Sequence, residues 1–118
     1  MRTIKFRVWE KFTSKMHYND VSHLASLTDD GVLSTVSGYG ENTAMQFTGL
    51  TDKNGKDIYE GDIFKLGAEK EIFEIRFEHG CFMAFHNDKQ FGLIGELQIC
   101  FIEVIGNIYE NPKLIKTK

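Results

Sequence analysis

Proline is nearly absent from this sequence, with one in 118 residues against 11 glycines, so glycine must make most of the turns. Cysteine is scarce too. Cys81 and Cys100 are the only two, too few for a disulfide framework, and in a reducing compartment two such residues read as free, small core side chains. No apolar run approaches the roughly 20 residues that span a bilayer as a helix. The first residues, MRTIKFR, place charges where a signal peptide needs a continuous apolar stretch, so the protein is expected in the cytosol with no membrane partner. Internal repeats and low-complexity segments are missing as well.

Positive charge is not in excess. Fourteen Lys and Arg stand against 17 Asp and Glu, giving a formal charge of −3. No strong positive field draws in phosphate backbones, which lowers a nucleic-acid reading while leaving room for a local patch. What the chain does have is bulk. Its hydrophobic fraction is 42%, with ten Phe. A chain of this length buries roughly 65% of its unfolded surface, enough for a core without staples.

Period-two alternation dominates. Ile4, Phe6 and Val8 alternate with Lys5, Arg7 and Trp9, which predicts a half-buried strand, and residues 16–19 pair back as a hairpin. Residues 21–27 are ambiguous. Asp30-Gly31 marks a turn before a strand at 32–36, and residues 37–43 read as a linker or long loop. A short strand at 45–48 precedes the Asn54-Gly55 turn, and extended structure resumes at 63–66 after a break at 60–62. The clearest hairpin pairs Phe77 with Phe82 and Ile75 with Ala84 around a His79-Gly80 turn, so Phe73, Ile75, Phe77 and Phe82 are expected in the core. The opposite face sets Glu74, Arg76 and Glu78 against Phe85, Met83 and Cys81, and the Met83–Phe85 end needs a cover. Residues 87–90 read as a polar turn, 93–97 as a helical turn or an extended stretch, and 99–108 as a buried strand. Short strands with turns between them predict an all-β chain and a small barrel.

Three stretches together resemble the YopX family of phage and prophage proteins: residues 4–9 (IKFRVW) followed by Lys15-Met16, residues 45–63 (MQFTGLTDKNGKDIYEGDI), and residues 103–112 (EVIGNIYENP). The resemblance implies a phage or prophage origin and a β-rich fold whose later part is similar to an SH3-type barrel. It implies no catalytic residues. The expected organisation is an N-terminal β-hairpin module over 1–44 and an SH3-type barrel over 45–118.

Candidate chemistry is thin. His79, Cys81 and His86 form the tightest metal-like group, but the hairpin register puts Cys81 and His86 on opposite faces. Cys100, between Ile99 and Phe101, reads as buried rather than nucleophilic. Neither a nucleophile elbow nor a P-loop is present. Glu60 and Asp62 can share a face if extended, yet Glu-Gly-Asp is also plain turn chemistry. The 52–56 segment is either an exposed partner loop or simple hairpin chemistry. Trp9 stacks on a base, anchors an interface, or closes one end of a barrel.

The expectation is therefore a non-enzymatic phage or prophage accessory protein that binds a host or phage protein, or copies of itself as a homo-oligomer. The alternative is an SH3-like nucleic-acid module using Lys5, Arg7, Lys11, Lys15 and Trp9. The candidate binding residues are Trp9, Asn54, Tyr59, Glu60 and Asp62. No catalytic or metal-ligating residue and no cofactor is expected.

Overall fold

A computed structural model describes residues 3–18, 25–27, 33–35, 42–67, 71–97 and 99–115. The chain divides into two compact units, residues 3–46 and residues 47–118. The protein is all-β: among the described residues there are eleven strands, three short 3-10 turns and no α-helix. No helix among them is long and apolar enough to cross a membrane.

In the N-terminal unit, β1 (Phe6–Glu10) and β2 (Lys15–His17) form the expected hairpin, with Trp9 opposite Met16 and Glu10 opposite Lys15. The other edge of β1 pairs with the first half of β5 (Asn42–Thr51), from Phe6↔Gln46 to Glu10↔Asn42. β5 thus begins inside the stretch read as a loop; residues 36–41 lie outside the described residues. β3 (Ala25–Leu27) and β4 (Leu33–Thr35) pair as a separate ribbon, and their expected Asp30-Gly31 turn also lies outside the described residues. One expectation fails here. Alternation puts Arg7 on a solvated face, but it is only 1% exposed. Its Nη1 donates to the Tyr18 hydroxyl at 3.3 Å, and its guanidinium lies 5.8 Å from that ring's centroid. A planar, weakly hydrated guanidinium tolerates such a site where an ammonium would not. Arg7 therefore adds nothing to a solvent-facing basic patch.

In the C-terminal unit the second half of β5 pairs with β6 (Asp57–Tyr59). β7 (Asp62–Leu66), β8 (Ile72–Glu78), β9 (Cys81–His86) and β10 (Lys89–Leu93) run as an antiparallel meander. The last strand, β11 (Ile102–Asn107), returns beside β7, so the sheet order is β10-β9-β8-β7-β11. The β8–β9 register is the one alternation requires, with Phe77↔Phe82 and Ile75↔Ala84. His79 (φ 56°) and Gly80 (φ 80°) both sit left-handed, as a two-residue hairpin turn demands. Asn87 (φ 52°) and Asp88 (φ 66°) repeat the device, so the polar turn is only two residues long and β10 starts at Lys89.

The core gathers Ile58, Phe64, Phe73, Ile75, Ala84, Ile94, Ile102 and Val104. Phe64 and Phe73 stack with centroids 5.3 Å apart. Burying each large aliphatic or aromatic side chain contributes roughly 1.5–3 kcal/mol. Phe73 and Ile75 are core as expected, and Phe82 packs against the cluster half-buried. Phe77 is not core: it is 48% exposed at the distal end of β8, where its ring meets Phe82 but lies beyond the buried cluster. The 99–108 stretch also departs from a single buried strand. Ile99–Phe101 is a 3-10 turn that leaves Cys100 exposed, and β11 starts only at Ile102.

Candidate functional site

The strongest sequence signature turns out to be a set of main-chain clamps. Asp52 Oδ1 accepts the N–H groups of Asn54 and Lys56, both at 2.9 Å, and Oδ2 accepts the N–H of Val104 at 2.9 Å. The Lys53 N–H adds a bond to the Ile102 carbonyl at 2.9 Å, so the turn is tied to the outer edge of β11. Burial pushes the Asp52 carboxyl upward. The amides of Val104, Lys56 and Asn54, with the Lys56 charge, outweigh it and hold the group below its ordinary value. Asn54 is exposed in this turn, with Gly55 left-handed at φ 81°. The local chemistry is that of a hairpin turn.

The next candidates are also built into the main chain. Tyr59 is buried, its ring 5.6 Å from Phe47, and its N–H donates to Asp62 Oδ2 at 2.8 Å. Asp62 is therefore turned onto the backbone, while Glu60 is half-buried in the turn between them. Gly61 (φ 89°) donates to the Ile75 carbonyl and accepts from the Ile108 N–H, both at 2.9 Å. The C-terminal signature closes the same way: Asn107 Oδ1 accepts the N–H groups of Tyr109 and Glu110, and Asn111 Oδ1 accepts that of Asn107. Trp9 belongs to the N-terminal unit, half-buried on β1 between Met16 and Thr43.

A cleft of about 400 Å³ opens on the other face of β8 and β9, where none of these residues lies. Phe85 is buried there, and Ile72, Leu114 and Ile115 add apolar lining. The Arg76 guanidinium sits 4.4 Å from the Phe85 ring centroid and bonds Glu74 at 3.1 Å and Asp88 at 2.5 Å. Burial tends to lower the Arg76 pKa, but the Asp88 and Glu74 carboxylates prevail and raise it. The cover that the Met83–Phe85 end requires is thus supplied in part by Arg76, a cross-strand neighbour. Glu71 completes the acidic side of the lining.

This cleft was missed because its walls come from three separated stretches. The available signal was the mixed face of β8, where carboxylates and a guanidinium oppose Phe85 and Met83. The His86 and Cys81 side chains do not converge. His86 Nδ1 lies 3.1 Å from the Ile72 carbonyl, whereas Cys81 Sγ lies 3.6 Å from the Glu78 carbonyl at the far end of β9. Among the described residues, no three His, Cys, Asp or Glu side chains form a metal-holding group.

Comparison with known proteins places this architecture. The crystal structure of protein EF1440 from Enterococcus faecalis is 28% identical, with a TM-score of 0.63, over 98% of this chain and 100% of that one. The crystal structure of protein yopX from Bacillus subtilis has the same TM-score of 0.63 at 24% identity, over 100% and 99% of the two chains, and shows the fold. In sequence, the SPbeta prophage-derived uncharacterized protein YopX of Bacillus subtilis (strain 168) is 26% identical over 131 residues, covering 94% of this chain and 95% of that protein. The family model described as YopX protein matches residues 5–116, nearly the whole length, and the chain belongs to the YopX family.

Proposed function

We propose that this is a non-enzymatic accessory protein of a phage or prophage that works in the bacterial cytosol by binding other proteins. The observation that carries the reading is aromatic surface outside the core: Phe77, Phe91 and Phe101 of the C-terminal unit are each about half exposed. Aromatic side chains are enriched at the centres of protein interfaces, and three half-exposed rings on one unit offer such anchors. Asp52 and Asp62 of the family signature, by contrast, are engaged with backbone amides and offer little for chemistry. A meander of four strands with the fifth returning beside the first through 3-10 turns supports an SH3-type barrel as the scaffold. The nucleic-acid alternative is weakened by the burial of Arg7, one of its four cations.

The test is affinity recovery of the tagged protein from host cells after prophage induction, with wild type beside an F77D/F91D variant that circular dichroism and a cooperative melt show to be folded, though less stable. A host or phage protein recovered with wild type and lost with the variant supports the reading. Identical recovery with both, or recovery abolished by nuclease, overturns it.

A further inference from the structure

We infer that the cleft beside Arg76 receives the tip of the β1–β2 hairpin of a second copy of this chain. The inference rests on the reading of the protein as a protein-binding module and names one of its partners. The tip is residues 11–15, Lys-Phe-Thr-Ser-Lys. Phe12 is the most exposed large apolar side chain among the described residues, at 69%, and Lys11 and Lys15 beside it are exposed. The cleft presents the complementary set. Phe85, Leu114 and Ile115 are apolar, and Glu71, Glu74 and Asp88 bring three carboxylates against the single Arg76 guanidinium. That guanidinium is already shared between Glu74 and Asp88, so it does not repel an incoming ammonium as a free one would. A volume of about 400 Å³ lies toward the small end of ligand sites, which span about 300–1,000 Å³, and has room for one aromatic ring.

Charge along the chain points the same way. Residues 1–18 carry five cations and one carboxylate, whereas residues 19–118 carry nine cations and sixteen carboxylates. A basic tip and an acidic cleft on one chain steer copies toward each other head to tail. Each copy offers one tip and one cleft, so the contact is heterologous. It closes into a ring if the rotation allows and grows into open chains if it does not. Sequestering Phe12 removes apolar surface from water, and pairing the lysines with the cleft carboxylates sets the register.

Sedimentation of the full chain at micromolar concentration tests this, at low salt and at ~1 M salt, where the screening length falls to about 3 Å. The expected result is a species at a multiple of 13.6 kDa that dissociates in high salt. Two variants reverse the charge of one partner surface each. K11E/K15Q alters the tip, with Gln at the second site because Glu there would face Glu10 across the ladder. E71K/D88N alters the cleft, with Asn at the second site because it tolerates φ 66°. Each variant alone should be monomeric, and their equimolar mixture should reassociate, since the acidic tip then meets the basic cleft. A 13.6 kDa species under every condition, an oligomer that either variant preserves, or a mixture that stays monomeric overturns the proposal. A monomeric wild type removes only self-docking; the wider binding reading stands or falls on the recovery experiment above.

Discussion

Asp52 Oδ2 accepts the backbone N–H of Val104 at 2.9 Å across 52 positions of the sequence, while Oδ1 of the same carboxylate accepts two amides of its own turn. One side chain, 5% exposed, therefore shapes the Asn-Gly turn and fastens it to the last strand. Asp52→Ala is expected to cost roughly 2–4 kcal/mol, because the Val104 amide loses its acceptor in a buried place, and Asp52→Asn about half as much. Urea unfolding curves of the two variants against wild type measure it.

The same carboxylate makes stability depend on pH with a defined sign. Its folded pKa lies below the ordinary 3.8, so its contribution is present above that value and is lost as pH falls through the folded one. The stability gap between wild type and Asp52→Asn should be flat above about pH 5 and should narrow as the solution is made more acid. A gap that widens toward low pH would contradict the assignment.

Phe73 and Phe77 lie on one face of β8 and should respond differently. Phe73→Ala opens a cavity beside Phe64 and should cost roughly 3–5 kcal/mol. Phe77→Ala removes a half-exposed ring and should cost about 1–2 kcal/mol. Thermal or urea melting of both variants separates the two cases, and equal losses would place Phe77 in the core after all.

Gly61→Ala tests the signature turn at its backbone. An alanine at φ 89° is strained by about 1–2 kcal/mol. The strain also disturbs two bonds, to Ile75 and from Ile108, that fasten the turn on both sides. Denaturant midpoints for this variant should fall by more than those for Gly95→Ala, where an added Cβ meets nothing within 4 Å.

The two thiols should be distinguishable by reagent. Cys100 is exposed in its 3-10 turn, whereas Cys81 is half-buried with Sγ near the Glu78 carbonyl. Maleimide labelling of the native protein followed by peptide mapping should find Cys100 modified first, and labelling at equal rates would contradict the exposure difference.

The β8–β9 hairpin and the residues of its turn were determined by the sequence alone, because both depend on neighbours one to four positions away. The alternation of Phe73, Ile75 and Phe77 with Glu74, Arg76 and Glu78 set the β8–β9 register, and His79, Gly80 and Gly55 supplied the left-handed residues their turns require. Burial was decided only by tertiary structure, because it depends on what packs against a face. Period two says that Phe73 and Phe77 share a side; the extent of the cluster around Phe64 says which of them is dry. Arg7 looks solvated by pattern and is buried, with the Tyr18 hydroxyl and ring against its guanidinium. The Asp52–Val104 bond and the cleft formed by Glu71, Arg76, Phe85 and Leu114 join residues separated by tens of positions, and no local rule carries information over that distance.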